Sequence, residues 1–136
     1  MPIELIAQPR QCLATGGRAR EVKVRIPVVG LAAAAAISSG GNWTTCAVST
    51  GGQVDCWGQG LFAELGNGAK ANSAIPLPVS GVTDATGVGV GGSFACAVRS
   101  GGGVACWGTN DCAGGCIGLG DGKSASSLVP VEVSLP

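Results

Sequence analysis

The sequence predicts an all-β fold, a partial β-propeller of about two four-stranded blades preceded by a degenerate N-terminal piece. Three observations predict it. Glycine fills 25 of 136 positions, a unit of about 50 residues occurs twice, and each unit divides into short β-type segments separated by glycine turns. Glycine costs a helix interior roughly 1 kcal/mol per position relative to alanine, whereas short strands joined by tight turns tolerate it. The 46% hydrophobic content argues against disorder.

The repeat is found by sliding the chain along itself. With a displacement of 50 residues, Gly41–Gly58 falls on Gly91–Gly108, and ten of these eighteen positions are identical. Cys46-Ala47-Val48 meets Cys96-Ala97-Val98, Gly51-Gly52 meets Gly101-Gly102, and Cys56-Trp57-Gly58 meets Cys106-Trp107-Gly108. Further on the displacement becomes 54, so that Leu65-Gly66-Asn67-Gly68 meets Leu119-Gly120-Asp121-Gly122. The four additional residues lie between Trp107 and Leu119, around Cys112-Ala113-Gly114-Gly115-Cys116. Ile26-Pro27-Val28 resembles Leu77-Pro78-Val79, which places one unit at about 31–81 and a second at 82–136. Upstream, Cys12–Gly17 is a worn copy of Cys46–Gly52, so residues 1–25 are either a degenerate half-repeat or an unrelated basic leader.

Each unit should hold four strands in order. Ala35–Ser39 is the first, and although the Ala32–Ala36 run favours helix by propensity, its place in the repeat assigns a strand. Thr44–Ser49 and Gln53–Trp57 follow as a hairpin around Thr50-Gly51-Gly52, and the last strand is expected near Leu77–Ser80. In the second unit the counterparts are Gly87–Val90, Ala95–Arg99, Gly103–Trp107 and Val131–Ser134. Four short strands per 50 residues is the size of a propeller blade.

The run of Gly, Cys-Ala-Val, Gly-Gly, Val, Cys-Trp-Gly and then Leu-Gly-Asn/Asp-Gly resembles the regulator of chromosome condensation repeat over residues 26–136. That resemblance implies seven-bladed propellers that act mostly as protein-interaction platforms. It also implies nucleotide exchange on a small GTPase and inhibition of bacterial enzymes as alternative roles. The two-cysteine form is similar to bacterial, often exported, members. The chain departs from the family pattern in two places. Thr44 and Phe94 stand where the family usually has histidine, and the usual Gly-Gln-Leu-Gly becomes Ala63-Glu64-Leu65-Gly66. No exchange-factor loop maps onto this chain residue by residue.

Cys46 and Cys56 are equidistant from Gly51, as are Cys96 and Cys106 from Gly101. In a symmetric hairpin each pair faces across the strands, either as a disulfide or as two reduced thiols packed as small apolar groups. Cys112 and Cys116 bracket the inserted loop and are a third candidate pair, with Cys12 left over. A zinc site from Cys96, Cys106, Cys112 and Cys116 lacks the two close pairs of a zinc ribbon. Paired cysteines predict an extracytoplasmic or secreted protein, although no signal peptide is legible and the longest apolar run, near Val28–Ile37, is too short to span a bilayer.

Chemistry is sparsely provided. There is no histidine to serve as general base or metal ligand, so no catalytic residue and no cofactor is expected. Gly118–Ser124 imitates a phosphate loop, but Ile117 replaces its first glycine and Pro130 stands where a helix should follow. Residues 1–25 carry three net positive charges, too weak a footprint to predict nucleic acid binding, and the remainder offsets them. Trp57 and Trp107 occupy equivalent positions and suit packing between blades, whereas Trp43 is replaced by Ser93 in the second copy. The expected function is therefore a non-catalytic protein-interaction module, with Trp43, Phe62, Asn110 and Asp111 as candidate contacts. Open strand edges also predict self-association, unless further blades cover them.

Overall fold

The computed structural model describes residues 4–7, 24–40, 42–110 and 118–134, with backbone alone at 4–7 and 24–27. Every regular element among these residues is a strand, and no described helix is long and apolar enough to cross a membrane. In chain order the strands are β1 (Glu4–Ala7), β2 (Val24–Pro27), β3 (Ala34–Ser39), β4 (Thr44–Ser49) and β5 (Val54–Gly58). They continue as β6 (Ser73–Pro78), β7 (Ala85–Val90), β8 (Phe94–Arg99), β9 (Val104–Gly108) and β10 (Ser127–Glu132).

Two four-stranded antiparallel meanders result, β3-β4-β5-β6 and β7-β8-β9-β10, each one propeller blade. β1 and β2 form a separate antiparallel pair, and β2 straddles the boundary expected at residue 25. The alanine-rich β3 is a strand, because its ladder with β4 outweighs helical propensity. The fourth strands begin earlier than expected. Ser73 and Ser127, rather than Leu77 and Val131, open β6 and β10, and each serine hydroxyl donates to the carbonyl two residues on. These local bonds set the chain extended before the apolar residues that advertise the strand.

Hairpin geometry follows the symmetric turn. Ser49 N–H donates to the Gln53 carbonyl over 2.8 Å, and from there the register runs Val48↔Val54, Ala47↔Asp55 and Cys46↔Cys56. Alternation from the bonded Ser49/Gln53 pair makes Cys46/Cys56 a non-hydrogen-bonded pair, the kind in which side chains come closest. Gly52 takes a φ of +89°, and a Cβ there would lie 2.6 Å from the Thr83 carbonyl, so the turn requires glycine.

Strand alternation sends the two faces of each blade in opposite directions. In the first blade Cys46, Val48, Val54 and Cys56 share one face; in the second Ala95, Ala97, Ala105 and Trp107 do. These two faces meet and form the core with Leu65, Val79, Val82 and Ala85. Alanines on the second blade let the sheets approach at β7, which packs on β3 and β4. Burying each Val or Leu stabilises by roughly 1.5–3 kcal/mol.

Candidate protein-interaction face

The β3–β4 and β5–β6 connections emerge on one end of the first blade, and their counterparts emerge beside them from the second. The turn at Asn42-Trp43-Thr44 is fixed from both sides. Thr44 Oγ1 donates to the Gln59 carbonyl at 2.8 Å, Gln59 N–H donates to the Trp43 carbonyl at 3.2 Å, and Asn42 Nδ2 donates to Ser93 Oγ at 2.9 Å. Trp43 is held at φ +60°, a left-handed conformation that costs a bulky residue of order 1–3 kcal/mol. Its side chain is 82% exposed. Gly58, at φ +100°, makes room for this turn, since a Cβ there would run into the Trp43 carbonyl.

Leu61 and Phe62 extend the apolar surface and are 53% and 48% exposed. A short turn, Ala63 N–H to the Gly60 carbonyl at 3.1 Å, presents them, and Ala63 is itself left-handed at φ +70°. Glu64, fully buried, accepts the Phe62 N–H at 2.8 Å through Oε2, while its Oε1 has no partner among the described residues. Between Trp43, Leu61 and Asn72–Ala74 opens a cavity of about 500 Å³. Gly58 and Gln59 also line it.

Of the expected contacts, Trp43 and Phe62 lie on this surface, while Asp111 lies outside the described residues. Asn110 belongs to the interior instead, at 3% exposure. Its Nδ2 donates to the Lys123 and Ala125 carbonyls and its Oδ1 accepts the Leu119 N–H, so this amide builds the loop and offers nothing to a partner. In the sequence Leu61 stands out only as part of the loop Gln59–Glu64, where it forms an apolar pair with Phe62, and Glu64 only as the acid that replaces the usual glutamine of Gly-Gln-Leu-Gly; its burial has no sequence signal.

The cysteines face each other across the hairpins as the symmetric turns require, and of the two arrangements open to them each pair stands at disulfide distance. Cys46 and Cys56 sulfurs are 2.14 Å apart with Cα atoms at 4.1 Å; Cys96 and Cys106 repeat this at 2.10 Å and 4.0 Å. Cys112, Cys116 and Cys12 lie outside the described residues. With Cys96 and Cys106 joined to each other, the four-cysteine zinc arrangement has lost two ligands, and the described residues hold no cluster of three metal-ligating side chains. On the opposite end of the blades, Arg99 binds Asp84 at 2.8 Å and Glu132 at 2.5 Å. The Glu132 hydrogen bond, then Asp84, raises the arginine's pKa further, but such surface pairs add little stability.

No protein-family model matches the chain, and no curated protein matches it. Solved structures do. Human WBSCR16 superposes with a TM-score of 0.67 and 25% identity over 91% of this chain and 32% of that protein. Prp20p of Saccharomyces cerevisiae, which has binding properties toward Gsp1p and histones, gives 0.67 and 19% over 88% and 28%. Yeast RCC1 (Prp20) bound to Kap60 gives 0.61 and 18% over 85% and 27%. The chain thus spans about a third of the length of the structures it matches. Its two blades are β-propeller repeats of the RCC1 type.

Proposed function

We propose that this RCC1-type propeller segment is a non-catalytic protein-interaction module whose contact surface is the loop face around Trp43, Leu61 and Phe62. One observation carries the reading. An exposed tryptophan is held in a costly backbone conformation, at a position where the second blade has a serine. Strain kept at an exposed aromatic marks a binding position, and tryptophan is the residue most enriched among interface anchors. The neighbours support a protein as partner, since Prp20p binds Gsp1p and histones and yeast RCC1 binds Kap60. The disulfides support an oxidising, extracytoplasmic setting.

A photo-crosslinking amino acid in place of Phe62 tests the assignment, with one at Thr86 on a strand surface as control. Specific adducts from position 62 should disappear when Trp43→Ser is introduced. Equal adducts from both positions, or adducts indifferent to Trp43→Ser, refute the assignment of this face. Nucleotide exchange on a small GTPase is the second reading, motivated by the Gsp1p-binding neighbour. Acceleration of nucleotide release from Gsp1p would favour it over a passive module.

A further inference from the structure

The fourth strand of each blade is the last of its sheet among the described residues, β6 beyond β5 and β10 beyond β9. Both strands carry large apolar side chains in the open: Ile75 is 57% exposed, Val129 40% and Leu128 39%. An apolar last strand is a template for pairing with another chain, because its outward N–H and C=O groups lack partners.

Register decides which groups point outward. Val79 N–H donates to the Val54 carbonyl at 2.9 Å, so Val54/Val79 is a bonded pair; alternation makes Cys56/Leu77 bonded and Asp55/Pro78 non-bonded. The main chain of Leu77 and Val79 therefore faces β5, and that of residues 76 and 78 faces away. Both of these are prolines, which have no N–H to give. Ile75 is occupied locally, its N–H donating to Ser73 Oγ at 3.3 Å and its carbonyl accepting the same hydroxyl at 2.7 Å. From Ile75 to Pro78 the edge offers a further strand no N–H.

The second blade carries the same device with one proline fewer. Val133 N–H donates to the Val104 carbonyl at 2.8 Å, which turns positions 130 and 132 outward. Pro130 lacks the donor, and Ser127 Oγ engages the Val129 N–H and carbonyl at 3.4 and 2.6 Å. The Leu128 carbonyl is taken by Gly68 N–H at 2.9 Å. Glu132 N–H remains, beside a carboxylate bound to Arg99.

We propose that Ser73–Pro78 and Ser127–Pro130 close these two edges to strand addition, so that copies of this chain do not pair there edge to edge. The closure lies in the residues themselves, since a proline lacks the N–H whatever surrounds it. Each block adjoins its hazard, Pro76 following Ile75 and Pro130 following Val129. Trp43, Leu61 and Phe62 lie off both strands, so partner binding at the loop face is read separately.

Thioflavin T fluorescence, light scattering and hydrogen exchange of the oxidised chain test the proposal, with circular dichroism as the check on folding. The wild-type chain and Pro76→Thr, which leaves Pro78 in place, should give no thioflavin signal. Pro76→Thr combined with Pro78→Thr creates successive outward donors at 76 and 78, and Pro130→Thr creates one next to that of Glu132. Both variants should assemble as concentration rises, with roughly tenfold slower exchange along the altered strand from the new hydrogen bonds. Val129→Lys added to Pro130→Thr should abolish the assembly, because a charge on an open edge opposes pairing, whereas aggregation from unfolding would persist. Wild-type β6 or β10 amides that gain protection with concentration, folded variants that stay at the wild-type level, or assembly that survives Val129→Lys would each overturn the proposal.

Discussion

The indole nitrogen of Trp107 lies 2.7 Å from the carbonyl oxygen of Glu64 and ties the second blade to a loop of the first. The bond is buried, joins residues 43 apart in sequence, and stands where the ring fills the space left by Gly66. A tertiary joint of this kind converts two marginal meanders into one core, since an isolated small sheet has little stability of its own.

Trp107→Phe should lower stability by about 1–3 kcal/mol, because the Glu64 carbonyl is left buried without its donor. Trp107→Ala should cost about 3–5 kcal/mol through the cavity it opens. Urea unfolding of the oxidised protein measures both. Equal and small losses would show that the joint does not hold the blades together.

Replacing the exposed, left-handed residue Trp43 should separate stability from binding. Trp43→Gly relieves the φ of +60° and should raise unfolding free energy by about 1 kcal/mol. The same variant should lose partner adducts at position 62. Denaturant midpoints and crosslinking yields, compared on one preparation, check both directions.

The two disulfides should differ in accessibility. Cys46–Cys56 lies at 0% exposure in the joint, while Cys96 on the outward face is half-buried. Limited reductant followed by alkylation and mass mapping should label Cys96 and Cys106 first. Loss of either bond should cost about 3 kcal/mol in the chain-entropy model for a loop of this size. Labelling of Cys46 first would mean that the joint opens before the outward face reacts.

Asp55 offers a pH readout. Partial burial raises its pKa above the ordinary 3.8, so the folded state holds the proton at pH values where the unfolded state has released it. Stability attributable to this group is therefore highest below pH 3.8 and falls as pH rises through the raised folded value. Asp55→Asn should accordingly be more stable than the native chain at neutral pH, and the difference should close in acid. Thermal melts from pH 3 to 7 (about the range over which a raised aspartate titrates) test the sign.

Much of this was legible without coordinates, and for a physical reason. A repeat displays each structural requirement twice, so turns such as Gly51-Gly52 and the pairing of Cys46 with Cys56 could be read by symmetry alone. Strand alternation then dictated which residues shared a face. The start of β6 at Ser73 was hidden because hydroxyl-to-backbone bonds, and no apolar pattern, extend the chain there. Sequence likewise made Asn110 a plausible surface amide, and only the folded loop, closing around it with three hydrogen bonds, turned it inward.

By itself the sequence determined the blade, most of its strands, the facing of its hairpin cysteines and its lack of histidine, all properties of local pattern and composition. The tertiary structure alone decided which face of each blade is covered. Trp57 and Trp107 are the same residue in the same motif, and only the neighbour packed against one of them, through Glu64 and Gly66, makes it core. Burial is a relation between elements, and no repeat unit carries it within its own letters.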